Sequence, residues 1–497
     1  MTNKSHHRFI WFLFVVQMLE IEKKVPIHLG LYGHIDSGKT AVASVLSEII
    51  STAGIDAHPQ SKERGITIDL GFTSFVLEDY LITLVDGPGH ADLIKISAAS
   101  VEIIDCALLV IDINKGPQIQ TGEHLIMIDS LNIKEVIVIL NKTDLFKGNI
   151  DSEVEKIRDF FKTTSFGSEI PIYTVSAKEQ SGFDDLKRGI LEKIKKLKIK
   201  RIYEGSVIIP IDHHFSIKGR GAIITGTILK GKLDINQNLD VIPVNTSGRV
   251  KSIQIFHQEV GSAKAGDRVG INLKGLDIKK VYRGCYATNN KNSFELGDLI
   301  EIQVKQNNLF KPITKFGTQV HVTVGMFTLT GYLFPYYEDN KKKIQLERTG
   351  DLKRYNAYLW LTEKIFFNKD RSTLLISRFD LPPTTLRILG AAKLIKILHK
   401  PPILYKYKLK KGFVQNSEHP QGVVCRGLAQ SIEGAKKLIS RKLEPPFSKI
   451  IDTFGTKGLV IVTIEDKSKS VENGNTVTLK ELRSFTLKSK KDLNVLN

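Results

Sequence analysis

Apolar positions along the chain fall into two textures. In the first two hundred residues, short uninterrupted apolar runs alternate with stretches of helical spacing. Positions 27–32, 80–85, 106–111 and 136–140 are continuous apolar runs, as expected of strands buried on both faces. Positions 41–50 read as a helix, and Leu186, Ile190, Ile194 and Leu197 recur at helical spacing with a lysine-rich opposite face, which we read as solvated. This alternation predicts a parallel sheet wrapped by helices. From Gly205 the texture changes to short β-branched runs divided by Gly and Asn turns: SVIIPIDH, GAIITGTIL, LDVIPV, RVKSIQIF and RVGINL. That is the pattern of a β-barrel or sandwich. A second β-rich section, from about 293 to 380, contains QVHVTVGMF and TLLISRF. After Leu381-Pro382-Pro383 comes a basic section with strand-like YKYKLKKGFV, helix-like GLAQSIEGAKKLISRK and strand-like GLVIVTIED. The lysine-studded tail beyond Asp466 is expected to be disordered.

Length and charge sharpen this division. A chain of 497 residues needs several cores, and the textures divide it into an extension at 1–24, a first domain at 25–204, β domains at 205–292 and 293–388, and a basic, mostly β domain with its tail at 389–497. The net charge of +19, with a pI near 9.5, favours polyanions, nucleic acid first and an acidic membrane second. From Ala391 onward there are 21 Lys and Arg against 9 Asp and Glu, so most of the excess lies in the last fifth. Three widely spaced cysteines, Cys106, Cys285 and Cys425, make neither a disulfide framework nor a zinc motif, which suits a reducing cytoplasm. The apolar run FIWFLFVVQM at 9–18 lacks a small-residue cleavage site and is shorter than the ~20 residues that span a bilayer. We expect Met18 to be the true initiator, and no membrane association.

Four motifs carry chemistry. Gly33, His34, Ile35, Asp36, Ser37, Gly38, Lys39 and Thr40 form G-x4-G-K-T between a predicted strand and helix. Its backbone N–H groups and the helix N-terminus suit phosphate oxygens, Lys39 the β- and γ-phosphates, and the Thr40 hydroxyl Mg²⁺. Asp86, in D-G-P-G-H after the next strand, can hold Mg²⁺ through water, and the Gly89 N–H can sense a γ-phosphate. Asn141-Lys142-Thr143-Asp144 reads guanine: a carboxylate at Asp144 accepts from two ring-edge donors that adenine lacks. Asn141 braces the loop, the Lys142 stem covers the ring, and Ser176-Ala177-Lys178 supplies a backbone N–H to the base. The order of these motifs predicts a GTP-binding P-loop domain of α/β fold, with GTP and Mg²⁺ as its cofactors.

Arg64-Gly65-Ile66-Thr67-Ile68, together with V-D-x-P-G-H, resembles the translational GTPases related to elongation factor Tu. The resemblance implies Thr67 as a further Mg²⁺ ligand, His90 as the catalytic residue that positions water, and Ile35 with Ile66 as an apolar gate. Gly87 stands where Cys is commoner. The segments HPQSKERGITIDLGFTSF, IDINKGPQIQT, KLKKGFVQ and IIDTFG resemble, in detail, selenocysteine-specific elongation factors of the archaeal and eukaryotic SelB type. This implies an aminoacyl pocket on the second domain at Asp212, His213, Phe215 and Arg268. Selenocysteine arrives as an anion and its seryl precursor is neutral, so Arg268 and a protonated His213 would favour the former by about a hundredfold. The implied partners are selenocysteinyl-tRNA, the ribosome paused at a recoded UGA, and a selenocysteine mRNA element or its binding protein. The protein is expected to be a cytoplasmic monomer. A general elongation factor, an initiation factor 2 γ subunit and a GTP-regulated sulfate-activating subunit remain as alternatives. Lys406, Lys408, Lys410 and Lys411 are candidate RNA contacts.

Overall fold

The four uninterrupted apolar runs become the centre of a mixed sheet. The computed structural model describes residues 23–47, 49–50, 70–87, 103–131, 133, 135–162, 164–219, 221–350, 352–369, 373–465 and 470–488. The first domain contains β1 (Val25–Tyr32), α1 (Lys39–Leu46), β2 (Ile49–Ile50), β3 (Gly71–Leu77), β4 (Tyr80–Asp86), β5 (Cys106–Asp112), α2 (Ile119–Ser130), β6 (Val136–Asn141), α3 (Ile150–Lys162), β7 (Ile172–Thr174) and α4 (Phe183–Lys196). The strand order is β2-β3-β4-β1-β5-β6-β7. From β4 to β7 the pairing is parallel, and β2 and β3 add an antiparallel edge. Ile27, Leu29 and Leu31 pack on α1 and α4, while Tyr32, Leu109 and Val138 pack on α2 and α3. Burying both faces is what allows strands with no polar alternation. The expected helix at 41–50 is shorter: Ser47 is extended, and the β-branched pair Ile49–Ile50 joins β3.

The second domain is a closed barrel. Its strands are β8 (Ile208–Ile217), β9 (Gly221–Thr227), β10 (Lys232–Asp234), β11 (Asn238–Ile242), β12 (Thr246–Ile255), β13 (Gln258–Val260), β14 (Ser262–Lys264), β15 (Arg268–Lys274) and β16 (Tyr286–Thr288). The order β11-β16-β8-β9-β15-β12 is closed by pairing of β11 with β12, which leaves this ring of strands without an edge. The third domain closes similarly, from β17 (Phe294–Gln306), β18 (Thr318–Val324), β19 (Phe327–Asp339), β21 (Arg354–Asn368), β22 (Thr373–Ser377) and β23 (Ile388–Ile397), with β18 pairing β19. The expected boundary at 388/389 therefore needs correction. After Pro382-Pro383, β23 returns to pair with β17 and β22, and the compact first unit runs to His399.

A second compact unit comprises residues 336–347 and 400–497. It holds the end of β19, β20 (Lys342–Gln345), β24 (Ile403–Asn416), β25 (Val423–Arg426), α5 (Ile432–Lys436), β26 (Phe447–Phe454), β27 (Leu459–Ile464) and β28 (Thr476–Thr486). Val414, Cys425, Phe447, Val462, Val477 and Leu479 fill its core. Two expectations change here. The helix-like stretch keeps only the five residues of α5, capped by Ser431, because the chain turns at Ser440 in the left-handed region and Ser440 N–H bonds to Ile450 O at 2.7 Å. The tail is ordered in part: β28 pairs with β24 from Thr476 to Thr486, burying Val477 and Leu479.

Candidate functional site

β1 delivers Gly33 into the 33–40 loop, and α1 begins at Lys39. Gly38 has φ 88°, and a Cβ there would come within 2.2 Å of Asn141 Nδ2, so only glycine fits. The same Asn141 amide donates to Ser37 O at 3.0 Å, and its oxygen accepts from Ala177 N–H at 3.1 Å. One side chain thereby joins three motifs that lie far apart in the chain. Ser176 Oγ donates to Asp144 Oδ1 at 2.7 Å, and Asp144 itself is exposed. Lys142, with φ 68°, turns its ammonium to Asp112 at 2.9 Å. Lys178 is exposed, 3.9 Å from Glu179.

Lys39 is buried and donates to the carbonyls of Gly33 and His34 at 3.1 and 2.8 Å. Burial pulls its ammonium down to about 8, against the opposing pull of Asp86 and Asp36. Thr40 Oγ1 donates to Asp86 Oδ2 at 2.8 Å. A hydroxyl and a carboxylate so placed are hard oxygen donors of the kind Mg²⁺ takes. Ile35 is half-buried. Ile66, Thr67, Gly89 and His90 lie outside the described residues.

On the second domain, Asp212 and Arg268 are both buried. Arg268 Nη1 donates to Asp212 Oδ2 at 2.5 Å and Nη2 to Oδ1 at 3.2 Å; Thr225 Oγ1 adds a third bond at 2.5 Å, and His213 Nδ1 lies 3.0 Å from Oδ1. An irregularity between Ile211 and His213 in the β8–β9 pairing puts Asp212 within reach of Thr225. Burial alone would raise the Asp212 carboxyl, but Arg268 and His213 outweigh it and hold it well below the usual carboxylate range. Beside this cluster is a hollow of about 40 Å³, lined by Thr225, Gln254, Phe256, His257, Arg268, Val269 and Gly270. Gly270 pairs with Thr225 and Gln254, and its missing side chain leaves the floor open. Phe215 is half-buried and pairs with Ile223, two register positions from the His213–Thr225 pair; like Asp212 and His213, it does not itself line the hollow.

Two contributors escape the motif reading. Asp112 anchors Lys142; its place at the end of β5 was the available signal. Phe72, on β3, has its ring centroid 3.2 Å from Arg268 Cζ and 6.1 Å from the His213 ring. No local pattern marks Phe72, because its partners are more than a hundred residues away. Among the four lysines of β24, Lys410 pairs with Glu481 at 3.2 Å and Lys406 Nζ lies 5.3 Å from the Phe485 ring centroid, while Lys408 and Lys411 are exposed. Among the described residues no helix is long and apolar enough to cross a membrane.

The chain is similar to known proteins over most of its length. Residues 24–196 match the elongation factor Tu GTP binding domain, 221–288 match elongation factor Tu domain 2, and 294–398 match the archaeal selenocysteine-specific elongation factor domain III. The selenocysteine-specific elongation factor of Methanocaldococcus jannaschii is 38% identical over 471 residues, which cover 92% of this chain and 98% of that protein. The Mus musculus protein of the same name is 37% identical over 333 residues, 62% of this chain and 56% of that one. The crystal structure of translation elongation factor SelB from Methanococcus maripaludis in complex with the GTP analogue GppNHp is 35% identical, covers 93% of this chain and 99% of that chain, and superposes with a TM-score of 0.75. The chain is thus a translational GTPase and belongs to the selenocysteine-specific elongation factor family.

Proposed function

We propose that the protein carries selenocysteinyl-tRNA to the ribosome under the control of bound GTP, at codons recoded for selenocysteine. The observation that supports this reading best is the Asp212–Arg268–His213 cluster beside an open hollow on the second domain. A guanidinium fixed by a buried carboxylate is preorganised, so binding an anionic selenolate costs little reorganisation. Neutral serine gains nothing from that charge. The basic second unit then suits an RNA partner through exposed lysines such as Lys408 and Lys411.

At the nucleotide site, Lys39 and the loop N–H groups would take the phosphates, and Asp144 with the Ser176–Ala177 turn would take guanine. Thr40 and Asp86, with Thr67, would hold Mg²⁺, which when bound neutralises phosphate charge. His90 would orient the attacking water once the ribosome engages the domain, with Ile35 and Ile66 gating its approach. Every stage of this cycle is compatible with a cytoplasmic monomer.

Titration of the GTP-loaded protein with selenocysteinyl- and seryl-tRNA tests the reading. We expect a preference of about a hundredfold for the former, from one partly desolvated ion pair. Replacing GTP by GDP should weaken both. Equal affinity for the two tRNAs in GTP would refute the cargo assignment and leave the GTPase intact.

A further inference from the structure

The Asp212–Arg268–His213 cluster and the hollow beside it form a cup, and Arg268 enters it directly from a tight turn, Lys264-Ala265-Gly266-Asp267, between β14 and β15. The turn is closed by Asp267 N–H to Lys264 O at 2.9 Å and by Lys264 N–H to Asp267 Oδ2 at 2.7 Å. It is pressed against the first domain. Gly266 has φ +99°, and a Cβ there would come within 2.8 Å of both Arg201 Nε and Pro26 Cγ. The contact that holds it is specific. His28, in the middle of β1, reaches the Gly266 carbonyl with Nε2 at 2.7 Å.

The chemistry fixes the state of this ring. A carbonyl only accepts, so Nε2 carries the hydrogen. Burial pulls the His28 imidazole down to about 4, so the ring is neutral near pH 7, and Nδ1 has no hydrogen-bond partner among the described residues. Both backbone groups of His28 are also fixed: its N–H donates to Asp105 Oδ2 at 2.9 Å and its carbonyl accepts from Asp105 N–H at 2.9 Å. Arg201, in the segment joining the first two domains, donates to the same Asp105 oxygen at 2.5 Å and to Pro26 O at 3.2 Å. Five residues beyond His28, the same strand opens into the loop at Gly33.

We propose that His28 is a positioning residue for cargo selection: by holding the Gly266 carbonyl it fixes the turn that presents Arg268 to Asp212, and it ties the cup to the strand that leads into the phosphate loop. This rests on the cargo reading above. A histidine that merely glued the two domains together would affect stability without touching the choice between an anionic and a neutral amino acid. A positioning residue affects the choice, because a guanidinium displaced from its carboxylate loses its orientation toward an anion.

The test uses the full chain loaded with GTP, comparing wild type with His28→Leu, which fills the space without a donor, and His28→Gln, whose amide restores one. Affinities for selenocysteinyl- and seryl-tRNA are measured alongside affinity for a fluorescent GTP analogue. In His28→Leu the selenocysteine preference should fall by about fivefold to tenfold, the worth of one buried hydrogen bond, with GTP affinity within about twofold of wild type. His28→Gln should recover most of the preference. Gly266→Ala, whose Cβ would push the turn away from Arg201 and Pro26, should reproduce the loss if His28→Leu folds poorly. An unchanged preference in the Leu and Ala variants, against a wild type that does discriminate, overturns the proposal while leaving the cargo reading intact. A wild type that binds both tRNAs equally overturns both.

Discussion

At the phosphate loop a buried cation, Lys39, hydrogen-bonds to two backbone carbonyls, and its ammonium is pulled down to about 8. In the cup of the second domain a buried anion, Asp212, is met by Arg268, His213 and Thr225, and its carboxyl is held well below the usual range. The loop keeps a charge that its surroundings satisfy poorly, and an incoming polyanion relieves it. The cup satisfies its charges internally and shows a partner only what is left over. One site is therefore built to gain from binding and the other to hold a fixed shape, and substitutions should separate the two.

The largest effect is expected at Arg268. Arg268→Met leaves the Asp212 carboxylate buried without its main partner, which should cost about 3–5 kcal/mol in urea unfolding. Adding Asp212→Asn should recover much of that loss, because the uncompensated charge is gone. Affinity for GTP should stay within about twofold in both variants, since the nucleotide motifs do not touch this pair. A single substitution that costs less than about 1 kcal/mol would mean the pair is not the internally satisfied unit described here.

Lys39→Met should do the reverse. Losing charge-assisted bonds to phosphate should weaken GTP binding by about a hundredfold or more, while stability holds or rises as a poorly satisfied buried cation is removed. The pH dependence sharpens the point. Lys39 is cationic below about 8, so affinity for a fluorescent GTP analogue should be full at pH 7 and decline as pH rises to 9. The expected decline is about tenfold at most, because bound phosphate holds the proton on. A flat profile from pH 7 to 9 would remove Lys39 burial from the account.

The same contrast explains what could be read before the fold was known. The loop works through backbone geometry over eight consecutive residues, so glycine spacing and a following Lys-Thr announce it. Asn141 was legible as a brace because N-K-x-D is itself contiguous, although its bond to Ser37 spans 104 residues. The barrels were legible as β texture, but not where the third one ends: ILGAAKLIKI reads as the start of the basic section until β23 is seen to pair with β17. Phe215 comes to the pocket by resemblance alone: it follows His213 by two positions on β8 and pairs with Ile223, and neither of the two lines the hollow. The tail reads as disordered because its lysines outweigh Val477 and Leu479, whose burial depends on the distant β24.

Phe72 is where the two regions meet, and it gives the smallest and most direct test of their separation. It lies on β3 of the nucleotide domain, yet the charge its ring covers is Arg268 of the cup. A guanidinium over an aromatic face is stabilised by roughly 1–2 kcal/mol, and a leucine keeps most of the apolar volume without that attraction. Phe72→Leu should therefore lower the preference for selenocysteinyl- over seryl-tRNA by about fivefold, and leave the fluorescent-nucleotide affinity nearly unchanged. If nucleotide affinity fell and cargo preference held, Phe72 would belong to the loop's side of the comparison. The cup would then be complete within the second domain, and the cation–π contact would be packing alone.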